Sequence, residues 1–259
     1  SAGSNSAGSN SAGSNSAGSN SAGSNSAGSN SAGSNSAGSN SAGFYIAIEG
    51  WEASGKSTQA ELLAGHLDAT LSREPGGTQL GRSIRRMLLD DGPIPTDRAE
   101  ALLFAADRAQ HIQEIVRPSL DSGRHVVTDR SYGSTLAYQG HGRGQSLEEL
   151  LWLSEWASDG LLPHLVVLIR VASDEAERRL GPERDRLESE PDEFGDRVRL
   201  GFDHLAAADP ERWRIVDGNG SIDAVHQRVV AVVDNWMTKR ALATKRALAT
   251  KRAGDNKRG

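Results

Sequence analysis

"FYIAIEGWEASGKSTQ", residues 44–59, passes from a short apolar, β-prone run into a glycine loop and then into a helical pattern. The loop, Gly50 to Ser57, fits the spacing G-x-x-x-x-G-K-[ST], and Leu63 and Leu67 follow it one helical turn apart. Glycines let backbone N–H groups curl round an anion, and the N-terminus of the next helix adds its dipole. The expected cradle for ATP runs from Gly50 through Trp51, Glu52, Ala53 and Ser54 to Gly55, Lys56, Ser57 and Thr58. Within it Lys56 should reach the β- and γ-phosphates, and Ser57 should offer its hydroxyl to Mg²⁺. The loop holds an acid, Glu52, and no base before its lysine, so further positive charge must come from another segment.

Outward from the loop, short β-rich runs alternate with helical patterns. The runs are 44–48, 125–129, 165–171 and 214–217, with a weaker one, "ATLS", at 69–72. Helices are expected near 56–67, 79–90, 97–120, 146–159, 187–207 and 221–237. Continuous apolar strands separated by helices indicate a parallel sheet covered on both faces, with right-handed crossovers. The expected fold is a three-layer α/β domain with five parallel strands.

The ends of the chain differ from this middle. Residues 1–40 are eight copies of SAGSN, continued by SAG to Gly43. Without an apolar side chain larger than alanine, residues 1–43 are expected to be a flexible extension outside the fold. Residues 238–259 repeat TKRALA and hold eight Lys/Arg and one Asp, hence +7. The whole chain is −5 and the SAGSN repeat is uncharged, which leaves −12 for residues 44–237. The basic tail is read either as a solvated helix or extension, or as an electrostatic arm making weak contact with nucleic acid. The acidic body argues against nucleic-acid binding by the body itself. There is no cysteine, so no disulfide framework or thiolate site exists. No apolar run nears the ~18 residues of a membrane span. The start lacks a positive region followed by an apolar stretch, so a soluble, cytoplasmic protein is the expectation.

Four further stretches carry chemistry. "REPGGT", 73–78, is a turn that also puts Arg73 at a strand end, where open α/β sheets meet their ligands. In "LLFAADRAQ", 102–110, Phe104 and Arg108 are i and i+4, so an aromatic face and a guanidinium stack on one side of a helix. Such a pair can stack a base and bond its edge, or can be plain core. In "TDRSYGSTLAYQG", 128–140, Arg130 could clamp an acceptor phosphate and Asp129 could hold water round a metal, or the two form a surface ion pair. Ser134, Tyr138 and Gln139 follow on a helical pattern that can line a pocket. "ERRLGPERDRLE", 177–188, gathers Arg178, Arg179, Arg184 and Arg186 round a Gly-Pro break, with Arg197 just beyond. That is either a charged solvent face or a mobile supplier of the cations the transferring phosphoryl group needs.

Taken in order, "EGWEASGKSTQ", "REPGGT", "LLFAADRAQH", "TDRSYGSTLAYQG" and "RDRLE" resemble thymidylate kinase, a family of P-loop nucleoside monophosphate kinases, over residues 44 to about 235. The resemblance implies a P-loop fold with a short arginine-rich lid, and phosphoryl transfer from ATP to dTMP. It implies that Glu52 engages the sugar 3′-hydroxyl and metal-side water, and that Arg73 and Arg130 position the monophosphate. Phe104 would stack on thymine, Arg108 would donate to the base edge, and Ser134 and Gln139 would meet the pyrimidine. Tyr138 would crowd a ribose 2′-hydroxyl. Lys56, Arg130, Arg184 and Arg186 would serve catalysis, Ser57, Asp129 and Glu188 the metal, and Asp185 would lie near the acceptor. A homodimer is also implied. Three departures stand out: a short stretch between Gly181 and Asp185, Phe202 where tyrosine is common, and Trp51 where a smaller residue is usual.

Rival readings are a kinase of the same architecture acting on dUMP, CMP or a deoxynucleoside, and a binding or scaffold protein on flexible and basic arms. A nucleoside acceptor would need a carboxylate base beside its hydroxyl and would not need two arginines aimed at a phosphate.

Overall fold

The computed structural model describes residues 43–90, 92–179, 186–187 and 189–255, with side chains as far as Thr244. The SAGSN repeat, Arg184, Asp185 and Glu188 lie outside the described residues. Five parallel strands, β1 (Tyr45–Glu49), β2 (Thr70–Arg73), β3 (Val126–Asp129), β4 (Leu165–Arg170) and β5 (Trp213–Asp217), form one sheet in the order β2-β3-β1-β4-β5. Strand β1 is buried along its whole length, as its unbroken apolar run requires for a strand with a layer on each side.

Alternation along the strands assigns the two faces. Ile46, Ile48, Val127, Val167 and Ile169 pack under α1 (Lys56–Leu67) and α9 (Ile222–Asp255), against Leu63, Val229 and Val233. Ala47, Val166 and Leu168 turn the other way, towards Tyr132 and Leu136 and towards Val198 and Phe202 of α8 (Asp192–Ala208). The strand ends that matter are in register: Ile48 pairs with Asp129, and Asp129 with Arg73. Residues from three strands therefore arrive side by side at the carboxyl edge of the sheet.

Between β2 and β3 lie α2 (Gln79–Leu89), α3 (Asp97–His111), a wider π-helical turn (Ile112–Val116) and α4 (Arg117–Asp121). The expected single helix over 97–120 is thus one path with a loosened turn just before Pro118, which has no N–H to donate. After β3 come α5 (Tyr132–Thr135), a π-helical stretch (Leu136–Gly142) and α6 (Leu147–Ala157), and α7 (Ser173–Arg179) follows β4. Helix α8 begins at Asp192, later than expected, because Pro191 holds the cap position at a non-helical ψ of 152° and a proline disfavours helical backbone in the residue before it. Helix α9 continues past residue 237 to Asp255 without a break. Ala, Leu, Lys and Arg, which make up most of the TKRALA repeat, are all strong helix formers.

Candidate active site

The glycine loop closes over the carboxyl end of β1. A Cβ on Gly50 would lie 2.6 Å from Ser54 Oγ and 2.7 Å from the Ile169 carbonyl oxygen, so only glycine fits there. Gly55, at φ 84°, takes the left-handed conformation that starts α1. Ala53 takes it too, at φ 53°, at a cost on the order of 1 kcal/mol for a residue with a Cβ. Lys56 Nζ donates to the Trp51 carbonyl at 3.3 Å. Burial, then the positive Arg130, lowers the Lys56 pKa to about 8, while Asp129, Glu52 and Glu49 pull the other way.

Glu49, the last residue of β1, is wholly buried. Its carboxylate accepts from the backbone N–H of Ser131 (2.9 Å) and Ser134 (3.0 Å) and from both serine hydroxyls. Burial raises its pKa despite Arg130 and these donors. The acid thus ties the loop strand to the start of α5 and orients the segment from Ser131 onward. Arg130, at φ 71°, turns its guanidinium to Ser134 Oγ (3.0 Å) and Tyr138 Oη (3.2 Å). Burial works against its charge, but Tyr138, Asp129, Glu49 and Glu52 outweigh it and raise the Arg130 pKa. Tyr138 Oη donates in turn to Glu52 Oε1 at 3.2 Å, and burial, helped by Glu52, raises the phenol's pKa so that it keeps its proton.

The opposite wall rests on Glu74, the second residue of "REPGGT". Its buried carboxylate accepts from Arg108 Nε at 3.0 Å and pairs with His111 Nδ1 at 2.8 Å. Burial opposes that charge, yet Arg108 and His111 lower the Glu74 pKa. Ser154 and Thr135 hydroxyls take two more Arg108 N–H groups, at 3.2 and 3.0 Å, which leaves two of the five guanidinium N–H groups for a ligand. Gln139 Nε2 donates to the buried Glu100 at 2.9 Å, so the amide is fixed with its carbonyl oxygen as the remaining acceptor.

Most of the expected residues meet. Glu52, Lys56, Ser57, Arg73, Phe104, Arg108, Asp129, Arg130, Ser134, Tyr138 and Gln139 line one cleft. Arg186 lies apart from these residues. Its guanidinium donates to Glu100 and to the Leu88 carbonyl, and it does not line the cleft. In this geometry Arg186 is engaged by the buried Glu100 and not by the phosphate loop. The cleft also contains residues that the sequence alone does not single out, notably Glu74 and Arg85. Arg85 lies on α2 and donates to the Pro75 carbonyl at 3.1 Å. Glu74 sits inside "REPGGT", where it reads as part of a turn. Nothing in the order of residues marks Glu49 or Glu100 as partners of segments so far along the chain.

Ser57 Oγ donates to Asp129 Oδ2 at 2.5 Å, and Asp129 Oδ1 is buried without a hydrogen-bond partner. Among the described residues no group of three or more His, Asp or Glu side chains could hold a metal. The donor set therefore fits a hard cation held by one carboxylate, one hydroxyl and a ligand's phosphate oxygens, the pattern that suits Mg²⁺.

A parallel sheet that delivers a glycine cradle, a lysine and two arginines to one crevice is the working end of a P-loop phosphotransferase. The family profile described as "Thymidylate kinase" matches residues 48–229. A thymidylate kinase of Bifidobacterium longum is 46% identical over 190 residues, covering 70% of this chain and 92% of that protein. One of Clavibacter michiganensis is 47% identical over 181 residues, covering 67% and 86%. The crystal structure of thymidylate kinase from Ehrlichia chaffeensis superposes with a TM-score of 0.63 at 32% identity, covering 75% of this chain and 99% of that one. The chain belongs to the thymidylate kinase family.

Proposed function

We propose that this chain transfers the γ-phosphoryl group of ATP to dTMP, giving ADP and dTDP. The observation that carries the reading is that Lys56, Arg73 and Arg130 line one cleft, because two polyanions brought together need cations on both sides. The nucleophile is a phosphate oxygen already anionic near pH 7, so no general base is required. Lys56 holds the donor's outer phosphates, and Arg73 and Arg130 align the acceptor's phosphate with them. Phe104 offers its ring to the base, the two uncommitted N–H groups of Arg108 bond the base edge, and Gln139 accepts from the base. Tyr138 and Glu52 form the wall beside the sugar. Ser57 and Asp129 are the residues to hold Mg²⁺. Bound there, the ion would neutralise charge on the phosphate oxygens. With Arg186 engaged by Glu100, the lid cation over the transferring group is proposed to be Arg184.

Phosphorylation rates with dTMP, dUMP, CMP and thymidine, each with ATP and Mg²⁺, test the reading. dTMP should be the fastest acceptor. Turnover of thymidine or CMP in its place would overturn it.

We further propose a homodimer. Helices α2 and α3 pack together, as do α3 and α6, and they leave Met87, Leu102, Trp152 and Trp156 more than half exposed. An apolar face of this kind marks an interface. Sedimentation of the Trp152→Lys, Trp156→Lys double variant should give monomers. The cytoplasm is the proposed location. No helix among the described residues is long and apolar enough to cross a membrane. A weak contact with nucleic acid through the tail is supported by Arg214, Lys239 and Arg240, which lie where α9 passes β5 beside an Arg212–Asp209 ion pair and Glu211. Retention on DNA should fall with salt and with removal of residues 238–259.

A further inference from the structure

Trp51 occupies the second position of the phosphate loop, and its side chain does not line the nucleotide cleft. Its ring stacks on Tyr138, with centroids 5.5 Å apart and planes 22° from parallel. Phe194 and Phe202, both on α8, meet the same tyrosine edge-on, each at 6.2 Å. The tyrosine ring is therefore pinned by three aromatic neighbours, and its hydroxyl projects between Arg130 and Glu52. Trp51 is itself held from α8. The Arg199 guanidinium lies 5.3 Å from its ring centroid, and Gly195 passes so close that an added Cβ would sit 2.9 Å from Trp51 Cζ2.

We infer that Trp51 is a positioning residue for the acceptor's sugar: by bracing Tyr138 it sets the tyrosine hydroxyl against Glu52. The inference rests on the proposed use of a deoxynucleoside monophosphate as acceptor. A loop whose backbone cradles the donor phosphates thus sends one side chain backwards to build the acceptor's wall. An offset aromatic pair is worth about 0.5–1.5 kcal/mol beyond its buried area, roughly a two- to tenfold effect on binding. Lys56 bonds the Trp51 backbone carbonyl, whereas the indole lines a separate depression with Ser173 and Arg199.

Gly195 provides a second handle. Alanine is the best helix former, so Gly195→Ala on α8 leaves the helix sound and perturbs it only where the new methyl meets the indole. It displaces Trp51 without changing it.

Steady-state kinetics of wild type, Trp51→Leu, Trp51→Phe and Gly195→Ala, with dTMP and with its ribose counterpart as acceptors, test the inference. In Trp51→Leu the KM for dTMP should rise about tenfold, and the preference for dTMP over the ribose nucleotide should shrink by a similar factor. The KM for ATP should stay within about twofold of wild type, as expected where only the acceptor wall is disturbed. Trp51→Phe should recover most of the loss, and Gly195→Ala should reproduce its direction. Equal shifts in both KM values, or unchanged dTMP KM and sugar preference, would overturn the inference and leave Trp51 as packing alone. If Trp51→Leu does not fold, Gly195→Ala supports or overturns the inference by the same two readouts. Wild type that turns over no dTMP would instead refute the proposed function, so the two failures are told apart.

Discussion

The cradle at Gly50–Ser57 and the wall formed by Glu74, Arg108, Tyr138 and Gln139 face one cleft, yet they are held by different means. The cradle is mainly backbone. Its shape comes from a close approach at Gly50 and left-handed turns at Ala53 and Gly55. The wall is side chain braced on side chain: Glu74 holds Arg108, Glu100 holds Gln139, and Glu52 and Arg130 hold Tyr138. A backbone cradle serves any polyphosphate, whereas a braced wall specifies one acceptor and depends on every brace. Each side should therefore fail separately when perturbed.

The largest effect is expected at Lys56. Lys56→Ala should lower kcat by about 10³-fold or more, the scale of lost charge stabilisation in phosphoryl transfer. Calorimetric dTMP affinity should stay within about twofold of wild type. Near-normal ADP release in that variant would break the assignment of the donor side.

Glu74→Gln should act on the other side. It leaves the Arg108 guanidinium buried without its counter-charge, a loss on the order of 3–5 kcal/mol read from the urea midpoint. ATP affinity should be spared and dTMP affinity should fall. Equal losses for both nucleotides would mean that the two sides are not independent.

A pH series sharpens the contrast. Lys56 is held near a pKa of about 8, so ATP affinity in the free protein should fall as pH rises from 7 to 9.5, approaching tenfold per unit. Arg130, its pKa raised against burial by Tyr138 and the acids around it, keeps its charge there, so between pH 7 and 9 dTMP affinity should change far less than ATP affinity, and Lys56→Arg should abolish the slope for ATP. For folding the sign is opposite. A lysine whose pKa is lowered in the native state burdens that state below pH 8, and the burden lifts between about 8 and the unfolded value near 10.4.

The smallest effect is expected at Ala53. Glycine there should relieve the left-handed strain, raising stability by up to about 1 kcal/mol, less what its freer unfolded chain gives back. A melting temperature unchanged or lowered would show that the loop carries no such strain.

The same contrast explains what can be read from residue order alone. The strands, the cradle and α1 are legible because a contiguous motif must fold where it stands, and an apolar run of strand length has few other uses. Arg73, Phe104, Arg108 and Arg130 are legible as candidates because each sits in a compact motif. Their braces are not: Glu49 meets Ser131 and Ser134 across 82 and 85 residues, and no local pattern encodes such a meeting. The turn in "REPGGT" conceals Glu74 because Pro and Gly announce geometry more loudly than a single acid announces a buried pair. Arg186 is hard to place for a related reason, since composition shows a cation without showing which carboxylate claims it. The start of α8 is obscured because Pro191 falls inside the helical pattern that it caps.

Strand β1 lies at the centre of the sheet, and this has a consequence for the order in which the molecule comes into being. The cradle motif is complete by residue 57, but the strands that flank β1 begin at Val126 and Leu165. Pairings this distant in sequence form late, because a long loop must close before any contact repays it. A chain emerging from the ribosome therefore carries the nucleotide motif through the synthesis of more than a hundred further residues, from 57 to Leu165, with no complete sheet to mount it on. Competence to hold ATP should appear abruptly, once β3 and β4 have docked on either side of β1.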